Sequence, residues 1–145
     1  MDASRKYLET QVRTASQEQL LLMLIDGAIR FSEQAKTKLA EKDIEGAHQL
    51  LIRGQRIMVE LVSSLSRQIG DEIYNNLVRL YNFVYFRLVR ANVQHASEPI
   101  DEALKILGIL RGTWAEAIEK SKDERRGTLP NPIVAIAPSR ISVQG

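Results

Sequence analysis

Apolar residues recur at gaps of three and four from about residue 17 to about residue 122, the period of helices that each bury one face. The first segment follows Ser16 and carries Leu21, Leu24, Ala28, Phe31, Ala35 and Leu39 on one side. Ser16 and Gln19 have the spacing of a capping box, in which each side chain satisfies the other's backbone N–H. Glu41-Lys42-Asp43 is a polar break, and Asp43 is suited to cap a second segment with Ile44, Ala47, Leu51, Gly54, Met58, Leu61 and Leu65 on its seam. Gly70 stops that helix and Asp71 opens a third, carrying Ile73, Leu77, Leu80, Val84 and Ala91, with Arg87 interrupting the line. Ser97 is suited to cap a fourth. Pro99 falls in its first turn, where a missing amide costs little, and Ala103, Leu107, Leu110, Trp114 and Ala117 form its inner face. Four amphipathic helices joined by loops of a few residues predict an all-α, antiparallel up-down four-helix bundle.

Two ends fall outside the pattern. Residues 1–15 are short and polar, with Tyr7, Leu8 and Val12 as their sizeable apolar groups. Residues 123–145 begin Asp123-Glu124-Arg125-Arg126-Gly127 and then hold three of the chain's four prolines. The expected organisation is an N-terminal segment over 1–15, a bundle domain over 16–122 and a flexible tail over 123–145. Within that tail Ile133-Val134-Ala135-Ile136 is apolar enough to dock somewhere.

Several helices carry more apolar surface than one inward stripe requires. The first adds Leu20, Leu22, Met23, Ile25 and Ile29; the third adds Tyr74, Val78, Tyr81, Tyr85, Leu88 and Asn92. One reading is a wide core that buries both stripes. The other is a hydrophobic groove left for a partner helix. Gly27 and Gly54 lean slightly towards the second: a helix-interior glycine costs about 1 kcal/mol relative to alanine, and is easier to understand where something must approach the backbone closely. Periodicity leaves both readings open.

Composition narrows the class. At 145 residues the chain is one domain's worth, 44% hydrophobic, and large enough for a core without disulfides or metals. It has no cysteine, which excludes thiol chemistry and thiolate zinc sites. Twenty basic residues are interleaved with 18 acidic ones, so a net charge of +2 does not point to nucleic acid. Asp2, Arg5, Lys6 and Glu9 interrupt any apolar run at the N-terminus, and no stretch approaches the roughly 18 apolar residues of a membrane span. A soluble cytoplasmic domain, with no membrane insertion, is expected.

Candidate chemistry is sparse. Glu45-x-x-His48 has the spacing used in carboxylate di-iron bundles, but that motif occurs twice there, and the other histidine, His95, follows Asn92-Val93-Gln94 with no glutamate in place. Arg90 and His95 resemble the Arg–His signature of HEPN domains, helical bundles that are often RNA nucleases. An arginine to hold phosphate and a histidine to move a proton would suit RNA cleavage, although Ala91 stands where that family has a polar residue. No phosphate-binding glycine loop, nucleophile elbow or paired-carboxylate motif is present. No cofactor and no metal are expected.

Four blocks of residues carry a more extensive resemblance. Thr14-Ala15-Ser16 through Leu20, followed by Leu22-Met23-Leu24-Ile25-Asp26-Gly27-Ala28-Ile29-Arg30-Phe31, closely resembles the first helix of the FliS family. Leu51-Ile52-Arg53-Gly54-Gln55 through Leu61, Leu80-Tyr81-Asn82-Phe83 through Asn92, and Leu110-Arg111-Gly112-Thr113-Trp114 through Ile118 are similar to its later helices, in the same order and spacing. The resemblance covers about residues 5–120. It implies a non-enzymatic export chaperone that binds the disordered C-terminal region of flagellin, prevents premature polymerisation and delivers it to the flagellar export apparatus. It also implies an N-terminal segment lying over the groove, with Tyr7 at the position of a latch. By the same carry-over Leu20, Met23, Leu24, Gly27, Gln55, Met58, Tyr81, Tyr85 and Asn92 are candidates for the groove or its supports. A component of the export gate is a further candidate partner, and the oligomeric state stays open. The sequence departs from the family pattern at Gln17, Ile25, Gly54, Asn82 and Phe83.

Overall fold

The computed structural model describes residues 16–126. Four helices, α1 (Gln17–Ala40), α2 (Ile44–Ser63), α3 (Asp71–Gln94) and α4 (Glu98–Arg126), follow one another, with a single 3-10 turn over Arg67–Ile69 between α2 and α3. No strand occurs among the described residues. Each helix packs on the next, and α4 closes the ring on α1, giving the up-down bundle that the periodicity predicts.

The helix ends follow from local chemistry. The Ser16 Oγ accepts from the Gln19 N–H at 3.2 Å while the Gln19 Oε1 accepts from the Ser16 N–H at 3.0 Å, completing the capping box. The chain leaves α1 through Lys42 at φ 61°, and the Asp43 carboxylate then caps α2 by accepting from the Gly46 N–H at 2.9 Å. Gly70 separates the 3-10 turn from α3 at φ 106°, a conformation that L side chains rarely adopt. At the start of α4 the Ser97 carbonyl accepts the Asp101 N–H at 3.0 Å. α4 continues to Arg126, past the boundary expected at residue 122. Nothing between Lys122 and Arg126 breaks a helix, and the next glycine is Gly127.

Leu21, Ile25, Leu51, Met58, Leu61, Tyr81, Val84, Leu88, Ile100, Leu107 and Leu110 are the largest side chains fully withdrawn from solvent. The core line runs between the two candidate stripes on α1 and α3 rather than along either. On α1 Ile25 is buried while Leu24 and Phe31 are only partly covered. On α3 Tyr81, Val84, Leu88 and Ala91 face inward, and Ile73, expected in the seam, is 50% exposed. Its position in the first turn of α3 leaves it at the open end of the bundle.

Polar contacts fix the register between helices. The Trp114 Nε1–H donates to the Tyr81 hydroxyl at 2.9 Å, linking α4 to α3 inside the core. Arg111 on α4 meets the Asp26 carboxylate on α1 through Nε at 3.1 Å and a second guanidinium nitrogen at 3.4 Å. Lys36 pairs with Asp101 at 2.7 Å along the same seam.

Candidate functional site

Six large apolar side chains are exposed among the described residues: Ile44 and Val59 on α2, Ile73, Phe86 and Val93 on α3, and Ile109 on α4. None lies on α1, whose seam with α4 is crossed by the two ion pairs above. Apolar surface left uncovered marks a place where something binds when it is grouped rather than scattered.

Two of the six, Val59 and Phe86, come together between α2 and α3. Met58, Val59, Val62 and Ser63 on α2 face Asn82, Tyr85 and Phe86 on α3 across a groove of about 220 Å³. The spacing of three and four brings each set onto one side of its helix. Met58 is fully buried and forms the floor, whereas Val59 and Phe86 are 52% and 63% exposed and form the rims. The Tyr85 ring meets the Phe86 ring edge-on, with centroids 5.1 Å apart and planes at 84°. That contact restricts the Phe86 ring without covering its outer face. Along the same seam, His48 Nδ1 lies 3.0 Å from Asn92 Oδ1, tying the start of α2 to the end of α3. Gln55, one turn from Val59, is buried, and its Nε2 has no hydrogen-bond partner among the described residues.

The residues carried over from the resemblance divide into three groups. Met58 and Tyr85 line the groove, and Gln55 and Asn92 belong to the same helix pair. Tyr81 is wholly buried and does not line the groove. Burial pushes the Tyr81 phenol far above its ordinary value, the Trp114 hydrogen bond opposing this more weakly. Leu20, Met23, Leu24 and Gly27 lie on α1, away from the α2–α3 groove. A Cβ at Gly27 would sit 3.2 Å from Ile57 Cδ1, and one at Gly54 would sit 3.1 Å from Leu88 Cδ1. Both close approaches come from the chain's own neighbouring helices. Tyr7 lies outside the described residues.

Val59, Val62, Ser63 and Phe86 are groove residues that sequence reasoning did not single out, and Asn82 entered it only as a departure from the family pattern. The available signal was an apolar residue off the main seam: Val59 next to Met58, and Phe86 next to Tyr85.

Among the described residues no group of three or more histidines, cysteines or carboxylates could hold a metal ion. His48 of the Glu45-x-x-His48 spacing is engaged by Asn92. Arg90 and His95 are both exposed near the end of α3, with His95 at φ 53° as the residue that ends the helix. No hydrogen bond between them is formed. No helix among the described residues is long and apolar enough to cross a membrane.

A model of the family described as "Flagellar protein FliS" matches residues 1–121. The chain is 30% identical over 122 residues to the flagellar secretion chaperone FliS of Bacillus subtilis (strain 168), a match covering 84% of this chain and 90% of that protein. It is 30% identical over 115 residues to the flagellar secretion chaperone FliS of Salmonella typhimurium, covering 79% of this chain and 85% of the other. Among solved structures, the crystal structure of a flagellar chaperone from bacteria superposes with a TM-score of 0.68 at 21% identity, covering 83% of this chain and 98% of that one. That likeness speaks to the fold.

Proposed function

The chain belongs to the FliS family of flagellar proteins, and on that premise we propose that it is a cytoplasmic chaperone which captures the disordered C-terminal region of flagellin. An export-chaperone role and a flagellar protein partner follow from the family. The client, its bound segment and its delivery to the export apparatus are the proposal. The observation that carries it is the open α2–α3 groove, in which Val59 and Phe86 hold apolar surface in water above a Met58 floor.

Such a groove accepts apolar side chains of a client segment at intervals of three or four residues, as an amphipathic helix presents them. The work is passive: the client's polymer-forming end is covered, and no bond is made or broken. Ordering a disordered segment opposes binding, so the apolar area buried exceeds what the net affinity displays.

Flagellin polymerisation tests this reading. Equimolar chain added to monomeric flagellin should keep it monomeric by light scattering, and flagellin lacking its C-terminal region should not bind. Filament growth at an unchanged rate with the chaperone present would refute the proposal.

A further inference from the structure

We propose that Ile133–Ile136, in the chain's own C-terminal segment, seats in the α2–α3 groove and competes there with the client. The family model stops at residue 121, so residues 127–145 belong to this chain rather than to the family pattern. They contain no acidic residue, and Arg140 is their one basic side chain. Ile133-Val134-Ala135-Ile136-Ala137 is an uninterrupted apolar run, and all seven groove residues are uncharged. Pro130, Pro132 and Pro138 bracket the run, opposing continuation of α4 and biasing the residue before each towards extended backbone. An extended strand points alternate side chains to opposite sides, so one pair of the run faces the groove while the other faces out.

The reach fits. The Trp114–Tyr81 hydrogen bond sets Trp114 level with Tyr81, one residue before the groove's Asn82. From Trp114 to Arg126 the helix rises about 18 Å. Crossing α3 to its α2 side adds a lateral step of about 10 Å, one interhelical spacing. The distance from the end of α4 to the groove is therefore on the order of 20–25 Å. An extended chain from Arg126 gains about 3.3 Å per residue, which brings Ile133 to about 23 Å and Ile136 to about 33 Å. At full extension the run begins at about the distance of the groove and ends past it, and the remaining residues to Gly145 extend further.

The seating rests on the groove and the chain alone; the competition rests on the flagellin reading above. The chain has no cysteine, so Ser139→Cys in the full-length protein provides a single attachment point for a spin label. The label should broaden the Val59 and Val62 methyl resonances selectively. It should not do so in a mixture of labelled chains with separate isotope-enriched, unlabelled chains. Absence of broadening at the groove would overturn the seating, and equal broadening in the mixture would replace it with docking by a second copy. In the full chain, Ile133→Asp with Ile136→Asp should relieve the broadening. The same pair should raise affinity for a C-terminal flagellin fragment about fourfold, the gain for a groove free about a quarter of the time. Relieved broadening with unchanged affinity would overturn the competition. Because the label reads the groove without flagellin, failure of the client reading and failure of the seating give different results.

Discussion

Trp114 on α4 donates its indole N–H to the Tyr81 hydroxyl on α3, 2.9 Å away, and both side chains are buried. The pair sits one residue from Asn82, so the same bond that registers α3 against α4 sets the height of the groove on the opposite side of α3.

Replacing Tyr81 with phenylalanine keeps the ring and removes the acceptor, leaving the Trp114 N–H buried without a partner. The expected loss of stability is about 1–3 kcal/mol, the desolvation cost of an unsatisfied buried donor. Urea denaturation with tryptophan fluorescence, on the one Trp in the chain, measures it.

The same tyrosine makes stability fall at high pH. Its folded-state pKa lies above the unfolded value near 10, so the fold holds it neutral. Its contribution is fully present below pH about 10 and is lost as pH rises through the interval up to the folded value, where the unfolded chain releases the proton and the folded one does not. The slope from this group is at most about 1.4 kcal/mol per pH unit. Tyr81→Phe should flatten it, as unfolding midpoints measured between pH 9 and 11 will show.

How much of this was legible in the sequence differs by feature. The capping box at Ser16 and Gln19, the Asp43 cap and the opening of α3 at Asp71 are local chemistry, and each appears as expected, but α2 ends at Ser63, ahead of the Gly70 expected to stop it, so Leu65 lies beyond the helix. The four-helix count followed from the same signals. Facing was harder to read. Apolar residues at Ile73, Leu80, Tyr81 and Leu88 offer two stripes about one position apart, and which of them turns inward depends on packing against α2 and α4. The groove was therefore legible as excess apolar surface and not as an address. Val59 and Phe86 look like any other helix residues until α2 and α3 are placed side by side.

The glycines separate packing from propensity. Gly108 on α4 has open space where a Cβ would go, so Gly108→Ala should stabilise the fold by about 1 kcal/mol through helix propensity. Gly54→Ala should gain less, or lose, because its Cβ would press at 3.1 Å on Leu88, which is fully buried. Paired denaturant melts of the two variants read the difference directly.

The most direct test of the central claim is titration calorimetry of the full chain with a C-terminal flagellin fragment, run beside the variant Val59→Asp/Phe86→Asp. Both positions are exposed, so the variant's stability should stay within about 0.5 kcal/mol per substitution. Saturable binding with a negative heat-capacity change is expected for the natural sequence, and at least about tenfold weaker binding for the variant. Equal binding by both proteins would place the client elsewhere on the bundle, and no binding at high micromolar concentration by either would contradict the client itself.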